Sequence, residues 1–396
     1  MALTIRFRKA KSRMINLLYI VGIWGNGGIE KVVYTYCKNL PSDKYKITIL
    51  PIEKQDSVFT KKIEQLGIEI IEPYKKVCGN AYAKYLMRKE IVCKSVTDNR
   101  YDIVHFHNSI STAYLFIKAM KKVSPTTKYI LHSHGDDAEA PHVKIKRLMN
   151  SIIKTVYEHI PDFCTGCSDN AGKWLFTKKV FNSSKYTTLF NAFNTKEYAF
   201  DKQKRDRMKF LLNVKTSNVI GTIGRFCYQK NPEFILEIIK ELDKRKNDFT
   251  FVWIGDGPDK ASIQVKAREI GVDKRIIYVS ATDDIPGYLS MLDVFILPSR
   301  YEGLGLVLVE ALASGLKCYA SDAITRDTQV TDKIEYLPID SSQLWATKII
   351  EYLRDNKIDL ENRTYPEDEL KNSEFDVEPL SEKLNQIYKR LYEGNC

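Results

Sequence analysis

The chain has 396 residues, 44% of them apolar and 28% charged, with a net charge of +11. That length exceeds one ordinary core and points to two domains, and the composition excludes a disordered, collagen-like or membrane-embedded protein. Charge is uneven: residues 1–200 carry 32 Lys+Arg against 17 Asp+Glu, and residues 201–396 carry 29 against 33.

A basic first half suits nucleic acid, an anionic membrane face or a phosphorylated substrate. Arg6, Arg8, Lys9, Lys11 and Arg13 form a basic leader over residues 1–13, ahead of the apolar run Met14–Trp24. The pattern mimics a signal peptide. A Gly-rich loop and a helical period follow, so the run reads as a first buried strand over 15–22. Gly25-Asn26-Gly27-Gly28 then opens a helix over 29–37, the start of a nucleotide-binding type of βαβ unit. The glycines do not fit GxGxxG, but they let a backbone approach a ligand. Strands are expected at 46–50, 68–71, 101–107, 128–132 and 163–168, with helices at 58–66, 81–96, 112–122 and 143–160. This alternation predicts a doubly wound parallel sheet, whose ligands meet the carboxyl ends of the strands. Gly25–Gly28, His107 and His134 fall at such ends. Cys164-Thr165-Gly166-Cys167 has CxxC spacing without a second pair or a His partner, so the eight cysteines read as reduced and cytoplasmic. No apolar run approaches the length of a bilayer span.

Residues 196–216 are polar, without apolar period, and read as a linker between domains at 14–195 and 217–375. A second α/β series follows. Strands are expected at 219–223, 249–254, 276–279, 294–297 and 317–320, and helices at 232–243, 284–291, 344–354 and 380–391. The organising stretch is Ile296-Leu297-Pro298-Ser299-Arg300-Tyr301-Glu302-Gly303-Leu304-Gly305-Leu306, running on through Glu310 to Gly315. It reads as a buried strand, a turn, and an apolar helix whose N-terminus suits a phosphate. Glu302 and Glu310 are eight residues apart, about 12 Å along a helix axis, near the length of a sugar diphosphate. The competing reading is a plain buried helix with two solvated glutamates.

The second half resembles the retaining glycosyltransferases with the Glu-x7-Glu signature, family 4. The resemblance rests on Gly224-Arg225-Phe226 with Lys230-Asn231-Pro232, Gly255-Asp256-Gly257-Pro258, Asp293-Val294-Phe295 with Pro298-Ser299, and Glu302-Gly303 through Glu310-Ala311 to Gly315. It covers roughly 100 residues. The first half matches more weakly, through Gly27-Gly28-Ile29-Glu30 and His132-Ser133-His134. Ala171–Phe176 and Ser321–Thr325 look like the branch that builds bacterial capsule or exopolysaccharide. Lys317-Cys318 departs from the pattern, which has Pro and an aliphatic residue there.

The resemblance implies an α/β fold of two Rossmann-like doubly wound parallel-sheet domains facing a cleft (GT-B), with a final helix over 376–396 packing back on the N-terminal domain. It implies transfer of a sugar, with retention, from a nucleotide-sugar (a UDP-sugar by analogy) to a polyprenyl-diphosphate-linked saccharide. The setting would be the cytoplasm, at the anionic inner face of the plasma membrane. Arg225 and Lys230 would grip the diphosphate, beside Gly224. Backbone N–H groups of Gly303, Leu304, Gly305 and Leu306 would hold phosphate oxygens, and Glu310 would take the ribose hydroxyls. Glu302 would orient the sugar, and His134 would touch it from the first domain. Gly27 and Gly28 would approach the phosphate or the acceptor. The base would lie near Val279–Asp283. His132 is expected inside its strand, under a helix, and His105 and His107 stay outside the site. No Asp-x-Asp pair is placed to hold a metal, so neither a metal nor another cofactor is expected. A sugar-nucleotide epimerase on the same fold is the alternative. A nucleic-acid-binding protein is a weaker one, since the basic charge comes without a binding module and no specific nucleic acid partner is expected.

Overall fold

The computed structural model describes residues 13–25, 28–108, 110–135, 143–245, 248–282, 284–302, 304–355, 363–371 and 373–394. Arg6, Arg8, Lys9, Lys11, Gly27 and Gly303 therefore lie outside the described residues. The chain divides into two compact units, Met1–Ala192 with Val377–Cys396, and Phe193–Asp376.

Among the described residues, the first unit holds seven parallel strands: β1 (Ile15–Trp24), β2 (Tyr45–Lys54), β3 (Glu69–Ile70), β4 (Ile103–His107), β5 (Lys128–Ser133), β6 (Phe163–Gly166) and β7 (Tyr186–Thr188). Their order is β3-β2-β1-β4-β5-β6-β7. β1, β4 and β5 are buried nearly throughout, which explains their continuous apolar runs. One face packs on the Gly28–Asn39 helix and on the last helix, Val377–Tyr392, through Leu17, Tyr19, Val33, Tyr36, Leu384 and Tyr388. The other face packs on the Ala81–Asp98 and Thr112–Val123 helices. Tyr45 Oη donates to Asn385 Oδ1 at 2.7 Å and Lys383 Nζ to the Thr188 carbonyl at 2.9 Å, so the last helix is fixed by polar contacts as well as apolar ones.

The second unit holds six parallel strands among the described residues: β8 (Asn218–Ile223), β9 (Phe249–Ile254), β10 (Ile276–Val279), β11 (Val294–Leu297), β12 (Lys317–Ser321) and β13 (Ile334–Leu337). Their order is β10-β9-β8-β11-β12-β13. The chain reverses its winding between β8 and β11, and a crevice outside their carboxyl ends is where doubly wound sheets take ligands. Both β7 and β13 are additions to the strands expected from sequence.

Residues 196–216 form no free linker. They carry a short 3-10 turn (Thr195–Tyr198) and a helix (Lys202–Leu211) that belong to the second unit. The helix is anchored by a charge: buried Arg205 donates to Asp293 Oδ1 at 2.7 Å and to the Met291 carbonyl at 2.6 Å. Asp293 Oδ2 in turn accepts from the Val219 backbone at 2.7 Å, tying β8 to the start of β11. Arg363 is also buried and donates to the carbonyls of Leu289, Leu292 and Ser314. Burial, with Arg205 nearby, pushes its pKa down to about 9.

Candidate functional site

In the second unit, four loops meet at the β8/β11 reversal. Gly224 follows β8, and its backbone donates to the Ile254 carbonyl at 2.9 Å. Gly255 follows β9 with φ +143°, and a Cβ there would lie 2.1 Å from the Gly224 oxygen. Only glycine permits that approach, so the turns after β8 and β9 close against each other. Beside them, Ile223, Gly224, Gly257, Ala281, Thr282 and Ile285 help to line a cleft of about 470 Å³. Arg225 also borders this cleft, is exposed, and makes no hydrogen bond or ion pair among the described residues. The loop expected near a base, Val279–Asp283, contributes Ala281 and Thr282, while Asp283 lies outside the described residues.

Lys230 closes a short 3-10 turn, Tyr228–Lys230. Asn231 follows in the left-handed region at φ 54° and turns the chain into the Pro232–Lys244 helix, with proline at the first turn. The Lys230 side chain folds back over Gly224, its methylenes 3.2–3.3 Å from where a Cβ would sit. Its ammonium donates to Glu302 Oε1 at 2.5 Å. Ser299 Oγ donates to the same oxygen at 2.6 Å, and Gln229 Nε2 to Oε2 at 3.2 Å. Both oxygens of this nearly buried carboxylate are thus held. Arg300 fastens the two loops, donating to the Tyr228 carbonyl at 2.7 Å and lying over its ring.

Glu302 is not on the helix. The helix spans Leu306–Ala313, entered through Gly305 at φ 73°, so a spacing of about 12 Å along one helix axis does not describe Glu302 and Glu310. Leu304 is buried, and Leu306 opens the first turn, where backbone N–H groups lack an intrahelical acceptor. Glu310 is buried on the helix and accepts from Tyr198 Oη at 3.2 Å. Ser299 enters the sequence reading only as part of the Pro298-Ser299 motif, with no role of its own, and Gln229 and Tyr198 do not enter it; their side-chain partners identify all three.

In the first unit, Gly28 opens its helix, and a Cβ added there would meet nothing within 4 Å. Gly25, just after β1, is held by Glu30, whose Oε1 accepts from its backbone at 2.7 Å. At the neighbouring strand ends stands an array of four histidines. His105 and His107 alternate on β4, and His132 sits on β5 opposite His107 in register, with His134 just beyond. His105 Nε2 lies 3.2 Å from His132 Nδ1, and His107 Nδ1 lies 2.8 Å from His134 Nε2. The rings also stack along each strand, with centroids 4.2 Å apart for His105 and His107 and 4.1 Å for His132 and His134. His132 is inside its strand and covered by Tyr36 of the first helix, as expected. His105 and His107, left outside the site by the sequence, are part of the same array. Tyr388 Oη of the last helix lies 2.7 Å from His105 Nδ1 and 2.9 Å from Tyr19 Oη.

Burial keeps these imidazoles neutral, pushing His105 and His134 down to about 3 and His107 and His132 well below the usual histidine range. Nitrogens of His105, His107 and His132 come within 4.8 Å of one another, close enough to consider a metal. Their planes are within 31° of parallel. Parallel rings aim their lone pairs side by side rather than at one point, so the arrangement is that of hydrogen-bonded pairs. Cys164 and Cys167 are buried, and burial pushes the Cys164 thiol up, away from the reactive thiolate.

The glycosyl transferases group 1 family matches residues 203–368, and glycosyltransferase family 4 matches residues 26–197. Among curated relatives, a candidate glycosyltransferase, EpsF of Bacillus subtilis (strain 168), is 26% identical over 78% of this chain and 79% of its own. The UDP-Gal:alpha-D-GlcNAc-diphosphoundecaprenol alpha-1,3-galactosyltransferase of Escherichia coli is 25% identical over 74% of this chain and 76% of its own. The capsular polysaccharide biosynthesis glycosyltransferase CapH of Staphylococcus aureus is 23% identical over 95% of this chain and 99% of its own. The solved structure of Anabaena Alr3699/HepE in complex with UDP superposes with a TM-score of 0.74 at 14% identity, covering 95% of this chain and 100% of that one. The chain therefore carries a family 4 domain followed by a group 1 domain of the glycosyltransferases, on the GT-B fold.

Proposed function

We propose that the protein transfers a sugar, with retention, from a nucleotide-sugar to a lipid-linked saccharide in the building of a bacterial capsule or exopolysaccharide. The observation that carries the reading is the second unit's combination of an uncommitted cation, Arg225, with the held carboxylate Glu302 and its partner Lys230, at the reversal point of a doubly wound sheet. A diphosphate needs cations, and Arg225 and Lys230 supply them. The 470 Å³ cleft beside Gly224 suits the base, and Glu310 the ribose. The donor is read as a UDP-sugar, by analogy with the relative whose name specifies UDP-Gal and the neighbour solved with UDP.

In the reaction, the bond between anomeric carbon and phosphate oxygen breaks and the nucleoside diphosphate leaves. An acceptor hydroxyl forms the new bond on the same face and passes its proton to the leaving phosphate. Glu302, with three donors on its oxygens, is a poor nucleophile and a good electrostatic partner for positive charge at the anomeric carbon. A covalent sugar on Glu302 in intact-protein mass spectra would sink this route. In the first unit, His134 is assigned a polar contact to a substrate.

The acceptor is read as polyprenyl-diphosphate-linked, and the protein as cytoplasmic and peripheral to the membrane. No helix among the described residues is long and apolar enough to cross one. The Val143–Tyr157 helix instead exposes Leu148, Met149, Ile152 and Val156, at positions that share a side, and its sequence holds four basic residues and no acidic one. Such a helix suits the interface of an anionic bilayer. A thermal-shift panel of UDP-, GDP- and dTDP-sugars tests the donor site: stabilisation by UDP-sugars that is reduced in Glu310→Gln supports it, and equal binding by that variant contradicts it.

A further inference from the structure

We infer that His107 is a positioning residue that fixes the tautomer of His134, so that His134 presents a protonated Nδ1 to its ligand. The inference rests on the reading of His134 as a substrate contact only for its functional weight; the geometry is independent of it.

His107 is fully buried at the end of β4. Its Nδ1 faces His134 Nε2 at 2.8 Å, and its Nε2 is buried with no hydrogen-bond partner among the described residues. Two neutral imidazoles in this contact share one proton between the facing nitrogens. If His134 Nε2 carried it, the proton of His107 would sit on Nε2, as a buried N–H with nothing to receive it. If His107 Nδ1 carries it, the unpaired atom is only a bare ring nitrogen. Buried N–H groups without acceptors are rarer than buried acceptors without donors. The second arrangement therefore holds, with His107 Nδ1–H donating to His134 Nε2. The proton of His134 then resides on Nδ1.

His132 supports the same orientation from the side. It stacks on the His134 ring at 4.1 Å with planes 16° apart, which restrains ring rotation. His134 is thus held on one edge by His107 and on one face by His132, and it is less buried than either. A neutral Nδ1–H is a donor that keeps its role across the neutral pH range, suited to a sugar hydroxyl or a phosphate oxygen. It does not act as a general base there.

The test is the imidazole nitrogen spectrum of the full-length protein labelled with 15N-histidine, without substrate. His134 signals are identified by their loss in His134→Asn. The expected result is one tautomer at neutral pH, protonated at Nδ1 and bare at Nε2. His107→Leu removes the donor and is expected to abolish that single tautomer. His107→Asn keeps an amide N–H close to the Nδ1 position and is expected to restore it. Transfer by His107→Leu is expected to fall about tenfold or more, on the scale seen when the hydrogen-bond partner of a metal-bound imidazole is lost, with recovery in His107→Asn. A proton on His134 Nε2 in the parent overturns the inference, and this result needs no variant to fold. An unchanged His134 spectrum in a folded His107→Leu overturns it as well. Loss of the transferase reading would leave the tautomer result standing.

Discussion

The Lys230–Glu302 pair can be separated into its structural and its substrate-binding parts. The nitrogen–oxygen distance is 2.5 Å, with 19% of the lysine side chain and 6% of the glutamate side chain exposed. At an effective dielectric of about 20, the gross attraction is about 7 kcal/mol. Desolvation cancels much of that, and removing one partner of a buried pair costs about 3–5 kcal/mol. Partial exposure of Lys230 and the two remaining donors, Ser299 and Gln229, place Lys230→Met near the low end, about 3 kcal/mol. Glu302→Gln in the same chain removes the uncompensated charge, so the double variant is expected to recover about 2 kcal/mol of that loss. Hydrogen exchange, followed peptide by peptide across β8, β11 and the Leu306–Ala313 helix, reads the effect locally in the second unit. Nucleoside diphosphate affinity should behave differently: Lys230→Met weakens it about tenfold or more, and the double variant does not recover. Strictly additive stabilities would refute the pair as a coupled unit, and recovery of nucleotide affinity in the double variant would refute Lys230 as a diphosphate ligand.

Acid should loosen the first unit. The folded pKa of His105 lies at about 3, below the unfolded value, so its contribution is complete above pH about 6.5 and declines as pH falls towards 3. At pH 5 the loss from this residue alone is about 2 kcal/mol, and His105→Asn should narrow the difference in urea stability between pH 7.5 and pH 5. Glu310→Gln should weaken nucleoside diphosphate binding about tenfold in calorimetry, the scale of a lost charged hydrogen bond, with a smaller effect on unfolding. Replacing Leu148, Ile152 and Val156 with serine should lower sedimentation with acidic liposomes at low salt, while binding of UDP-sugars stays unchanged.

Most of the strands could be read from the sequence because they are central and buried, which leaves continuous apolar runs such as Leu17–Val21 and Val294–Leu297. The strands missed are of another kind: β7 is Tyr-Thr-Thr, and β13 alternates with a glutamate. The Lys202–Leu211 helix reads as linker in the sequence because its anchor is a buried arginine, which apolar periodicity does not report. In the site, Glu302 and Lys230 are recognisable by motif, but their contact joins positions 72 residues apart, and Ser299 and Gln229 gain meaning only through it. His107 is legible as a residue at a strand end, but its link to the site is hidden for the same reason. Strand alternation pairs it with His105, but only the register of β4 against β5 brings it to His134.

The central claim is transfer from a nucleotide-sugar, and a single assay addresses it. The protein is incubated with a panel of radiolabelled UDP-, GDP- and dTDP-sugars and a lipid extract containing polyprenyl-diphosphate-linked saccharides, beside Lys230→Met. Label is expected to enter the lipid fraction from a UDP-sugar with the parent protein and to stay in the aqueous phase with the variant. Equal labelling by Lys230→Met, or epimerisation of the donor with no label in lipid from any sugar, would contradict the account.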